Sequence, residues 1–166
     1  MKKRTGIIGV LVAILVLGIG YAVVSAVTLT INGSGSITAD QANFKVHYTG
    51  DVTVTKSVAS ITTTASHNDQ QTGQFTVSDL TKAGDSVTFT YTIVNDSEGI
   101  TANLAASSVT TNSNAEYFTV TTSRDASTLA PGASTTETVT VTVAKTPVSA
   151  DETGTFQIDL VASPSN

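Results

Sequence analysis

Cysteine and tryptophan are absent, and charged residues make up only 13% of the 166-residue chain. Without cysteine there is no disulfide framework, zinc ribbon, thiol nucleophile or iron–sulfur cluster. Two histidines leave little material for a histidine-based metal or acid–base site. Soluble domains usually carry about 25% charge, so solvation falls here to hydroxyls. Thr and Ser together supply roughly three residues in ten. No HExxH, GxSxG or phosphate-loop motif is present. His47 falls on the polar phase of a strand beside Lys45, and His67 in a polar stretch, so both read as surface residues. Glu116 and Glu137 have no cue that pairs them as acid and base. The expectation is a chain without catalytic residues, a non-enzyme.

What is present begins with an address. Lys2, Lys3 and Arg4 precede an uncharged apolar run from Gly6 to about Ala26. A secretory signal needs a positive start, an apolar stretch and small residues at the cut. Val24-Ser25-Ala26 supplies the last, placing cleavage between Ala26 and Val27. A membrane-spanning helix needs about 20 apolar residues, which the run also provides. Either way the basic residues stay in the cytoplasm and the rest is exported. Residues 1–26 are therefore a signal peptide or transmembrane segment, and residues 27–166 one domain. The product is secreted or held at the cell surface, touching membrane only through residues 6–26. A third reading is a type IV-like pilin retaining residues 7–26, although Ile7-Ile8-Gly9-Val10-Leu11 lacks the acidic residue usual there. Beyond Ala26, five bases face thirteen acids, a net charge of −8. Such a surface repels phosphate backbones, so nucleic acid is not an expected partner.

The rest alternates with period two, the strand period. Val27, Leu29 and Ile31 alternate with Thr28, Thr30 and Asn32. The same holds for Phe44–Thr49, Val87–Ile93, Thr138–Val143 and Thr155–Leu160, with weaker runs at 52–56, 60–65, 74–77, 100–109 and 117–121. Thr suits the outward positions because its branched Cβ favours extended backbone while its hydroxyl meets water. Turn residues separate the runs at Asn32-Gly33-Ser34-Gly35, Thr49-Gly50-Asp51, Ala83-Gly84-Asp85, Asn95-Asp96-Ser97-Glu98-Gly99, Ala130-Pro131-Gly132 and Thr153-Gly154. Residues 57–74 read as a long loop or weak hairpin. The expected fold is all-β, an antiparallel immunoglobulin-like or jelly-roll sandwich preceded by the N-terminal apolar helix.

Candidate sites are few. Asp96 and Glu98, and Asp151 and Glu152, place paired carboxylates on turns, but calcium needs six to eight oxygens. The expectation is no cofactor, with calcium as the one ion worth weighing. An isopeptide bond between Lys45 and Asp159 is imaginable, yet both fall on outward phases. The strongest candidate is an assembly strand, Val27, Thr28, Leu29, Thr30 and Ile31, followed by a Gly-rich hinge. Such a strand completes its own sheet or a neighbour's. The expected partner is thus the chain itself, and alternatively a cell-surface protein or glycan bound by the loops.

The Lys-Lys-Arg start, the run ending Ala22-Val23-Val24-Ser25-Ala26, and Val27-Thr28-Leu29-Thr30 together resemble exported proteins of the TasA and camelysin type. Val87–Asp96, and Leu129–Thr135 before Thr138–Val143, are similar to a bacterial immunoglobulin-like surface module. The resemblance implies a biofilm-matrix fibre subunit assembled through an N-terminal donor strand. The chain is shorter than TasA and lacks its long insertions. No zinc-ligand motif supports the protease activity described for camelysin relatives.

Overall fold

The computed structural model describes residues 27–31, 43–68, 71–148 and 151–165, with residues 27–31 and Asn68 given as backbone. The expected apolar helix and signal within residues 1–26, including Ala26 of the cleavage junction, lie outside the described residues, as does the Asn32–Gly35 hinge. Eleven strands are described: β1 (Val27–Ile31), β2 (Val46–Lys56), β3 (Thr62–Asn68), β4 (Thr72–Ser78), β5 (Ser86–Asn95), β6 (Thr101–Leu104), β7 (Ser108–Asn112), β8 (Phe118–Arg124), β9 (Thr128–Leu129), β10 (Ser134–Val143) and β11 (Phe156–Ser165). Among the described residues there is no helix.

Alternation becomes structure most plainly in β5 and β10. Val87, Phe89, Tyr91 and Ile93 are buried, as are Val139, Val141 and Val143, while the Thr residues between them stay half-exposed. Burying each such apolar side chain contributes about 1.5–3 kcal/mol. The outward Thr hydroxyls partly satisfy one another, as Thr88 and Thr140 do at 2.9 Å across the two strands.

Two sheets enclose the core. One has the order β2-β5-β10-β8 and is antiparallel throughout. The other runs β3-β4-β1-β11-β6-β9, with β7 also paired to β11. Its one parallel contact among the described residues joins β1 to β4. Aromatic rings close the space between the sheets: Phe75 of β4 stacks on Phe89 of β5 at 4.4 Å, and Phe156 meets Phe118 edge-on at 5.6 Å.

Two local features differ from the sequence expectation, and of the two alternatives for residues 57–74 it is the hairpin that forms. Thr49-Gly50-Asp51 is a bulge within one strand rather than a turn between two. The register with β5 shifts between Thr49 and Thr53, and Gly50 takes φ 68°. Both flanking runs find partners on the ten-residue β5, so a left-handed glycine absorbs the extra residues and the strand continues. Residues 57–74 hold most of the hairpin of β3 and β4. The 100–109 run divides into β6 and the start of β7, which lie successively along β11.

Asn95 shows how a turn residue becomes a structural pin. Its side chain is fully buried; Nδ2 donates to the carbonyls of Ile100 and Leu129 at 2.9 Å each, and Oδ1 accepts from the Ser97 amide. Ser97 Oγ in turn accepts from the Lys45 amide at 2.8 Å, fixing the entry to β2.

Candidate functional site

The assembly strand expected at Val27–Ile31 is β1, and it lies inside a sheet. It pairs antiparallel with β11 from Val27↔Ala162 to Ile31↔Ile158, and parallel with β4 at Thr30↔Thr72 and Ile31↔Gly73. The β3–β4 hairpin therefore joins the rest of its sheet through the first described segment of the chain. Side-chain ties across to the other sheet reinforce that hairpin. His67 Nε2 donates to the Gly50 carbonyl at the β2 bulge (2.7 Å), and the Tyr91 hydroxyl donates to the Gln74 carbonyl (3.0 Å). Gly73 makes this approach possible: a Cβ there would stand 2.8 Å from Cε1 of Tyr91. His67 is thus a half-buried tie on β3 rather than a loop residue.

A second constellation escaped sequence reasoning. Glu137 of β10 lies opposite Tyr91 of β5 on one side and Arg124 of β8 on the other. Its side chain is 1% exposed and accepts from Arg124 Nη1 at 3.3 Å. Arg124 Nη2 reaches the carbonyls of Leu104 and Ala105, at 3.2 and 2.6 Å, where β6 ends. The guanidinium thus ties the two sheets, with Glu137 beside it. Arg124 Nε and Tyr48 Oη are buried without a hydrogen-bond partner. Burial pushes the Glu137 carboxyl above its ordinary range, against the Ser107 hydroxyl and the Arg124 charge. Burial and the nearby Glu137 charge likewise hold the Tyr48 phenol well above its usual value. The available signal was phase: Glu137 occupies the position that Val139, Val141 and Val143 continue inward.

The other flagged residues are dispersed. Asp96 Oδ2 pairs with His47 Nε2 at 2.8 Å, tying the turn to β2, while Glu98 is exposed. Glu152 Oε2 accepts from Asn114 Nδ2 at 3.1 Å. Among the described residues, no three His, Asp or Glu side chains converge where a metal ion would need them. Lys45 is exposed before β2, and Asp159 lies on β11 of the other sheet, bonded by Gln157 Nε2. The structure therefore does not bring that pair together. Compared with family models, curated proteins and solved structures, the chain finds no match.

Proposed function

We propose that the chain is an exported, non-enzymatic structural protein of the cell surface or extracellular matrix that assembles by passing β1 to a neighbouring copy. The observation that supports this most is the place of β1. The first described strand occupies an interior slot of its sheet, between β4 and β11. Withdrawing it leaves two facing backbone edges, and a neighbour's β1 restores the same register pairs. Exchange of this kind costs little in hydrogen bonds, because the bonds lost in one copy are remade in the next. Repeated head to tail it does not close, and so yields a filament.

In this reading the two sheets are an immunoglobulin-like sandwich of the TasA and camelysin type, and residues 1–26 are a signal peptide cut after Ala26. The alternative is a surface-binding module, for which the groove lined by Phe75, Phe118, Asp151 and Phe156 is the supporting feature. Deleting Val27–Ile31 tests the assembly reading. Multimers seen by light scattering should disappear while β5 and β10 keep their amide protection. Multimers that persist unchanged contradict strand exchange. Intact mass of the protein from its native cells tests the address: a species beginning at Val27 supports cleavage, and one retaining the apolar run contradicts it.

A further inference from the structure

The outward face of the four-stranded sheet is a lattice of hydroxyls. In register, Thr53 of β2, Thr90 of β5, Thr138 of β10 and Ser123 of β8 form one row across all four strands. The neighbouring pairs Thr88–Thr140, Thr92–Thr136 and Ser86–Thr142 repeat the pattern along β5 and β10. Thr53 and Ser123 are exposed, and Thr90 and Thr138 half-exposed, so the row meets solvent. β5, β8 and β10 put no Asp, Glu, Lys or Arg on this face, because Glu137 and Arg124 both turn inward. The charged residues of β2, Asp51 and Lys56, sit at its bulge and at its last position.

That neutrality says what can approach. Beyond Ala26, thirteen acids face five bases, so two copies repel one another wherever their acids meet. The outer face of the other sheet offers no substitute, since it carries the half-exposed Asp159 on β11, an interior strand. Taking water off hydroxyls costs less where they already have partners. Ser123 Oγ and Thr138 Oγ1 bond each other at 2.6 Å, as the Thr88 and Thr140 hydroxyls do at 2.9 Å. Shape points the same way: a twisted sheet fits a second twisted sheet crossing it at about 30°, not a flat surface. We propose that this face packs on the same face of a second copy, sheet against sheet about a two-fold axis. Strands ~4.8 Å apart give the face roughly 600 Å² per copy, below the ~800 Å² per partner of a standard stable interface. A single pair of faces is therefore weak. A filament repeats the face along its length, so the contacts add and filaments bundle. The pairwise contact needs no strand exchange; the bundling rests on the fibre reading above.

The test compares the full chain with the double variant Thr55→Glu, Thr138→Glu, two positions of the face separated by β5. In electron micrographs the unaltered filaments should lie side by side, and those of the variant should lie singly at an unchanged thermal midpoint. Low-speed pellets of the variant should hold roughly tenfold less protein. The control places the same charges on exposed positions of the other sheet, Gln74→Glu with Thr111→Glu, and should leave the bundles intact. Bundles that survive glutamates on the face, or are lost equally in the control, overturn the proposal and leave strand exchange standing. So do unaltered filaments that never bundle. A chain that forms no filaments contradicts the fibre reading instead, and sedimentation equilibrium at millimolar protein then decides the face. Weak dimers that the face glutamates abolish support it, and monomers throughout overturn it.

Discussion

The two sheets are held together in different ways. In the four-stranded sheet, long neighbours match over most of their length: β10 pairs with β5 from Ser134↔Val94 to Thr142↔Ser86, and with β8 from Glu137↔Arg124 to Val143↔Phe118. In the other sheet, β4 meets β1 at two register positions, and β11 is flanked in succession by β6 and β7 along one edge. The first sheet is a block; the second is stitched, with β1 as the stitch. Long ladders over a shared core open only when the whole domain unfolds, whereas a seam of two pairs opens at lower free energy. The exchange proposed for β1 would have to break that seam together with its five register pairs to β11.

Perturbations should separate the two sheets, and the largest effects belong to the block. Phe89→Ala, at a fully buried site stacked on Phe75, should cost about 3–5 kcal/mol and lower the stability of both sheets together in denaturant titrations. Arg124→Met leaves Glu137 buried without its cation and should cost about 3 kcal/mol at neutral pH. That cost should shrink in acid, where Glu137 takes up a proton. A loss independent of pH contradicts the assignment.

Smaller effects belong to the seam. Gly73→Ala places a Cβ against the Tyr91 ring and should cost about 1–3 kcal/mol. Native-state hydrogen exchange should show faster opening in β3 and β4, with β5 and β10 unchanged. Equal acceleration everywhere would erase the distinction between block and stitch.

Two carboxyls give pH tests of opposite sign. The Glu137 carboxyl is raised, so the folded chain holds that proton more tightly than the unfolded chain. Its contribution is full below the ordinary carboxyl range and is lost as pH rises through the raised value. The Asp85 carboxylate is lowered, chiefly by the Thr81 amide, with the Lys82 amide adding to it. Its contribution is present above the ordinary range and is lost as pH falls. Glu137→Gln should therefore remove a loss of stability on raising the pH, and Asp85→Asn a loss on lowering it, both read from thermal midpoints. The smallest effect is expected at the partly exposed His47–Asp96 pair, where Asp96→Ala should cost under about 1 kcal/mol.

The all-β architecture was legible because apolar and hydroxyl residues alternate in β5 and β10, and apolar and polar residues in the first half of β11. The bulge at Gly50 was not, since a glycine beside an aspartate also signals a turn, and only the length of β5 decides between them. β9, two residues long, leaves no period to read. Glu137 and Arg124 were visible as residues but not as a pair. Their encounter depends on β8 lying beside β10, a topology that alternation alone leaves open. Val27–Ile31 was legible as a strand, whereas its interior seat between β4 and β11 depends on contacts distant in sequence.

The absence of cysteine makes the central claim directly measurable. Thr30 of β1 and Asp159 of β11 are register partners, so Thr30→Cys with Asp159→Cys places two thiols across that seam. The chain should be oxidised after assembly and run on a denaturing, non-reducing gel. Passage of β1 between copies predicts a ladder of covalent multimers that collapses on reduction. Disulfide-bonded monomers alone, from a sample that had assembled, would contradict it.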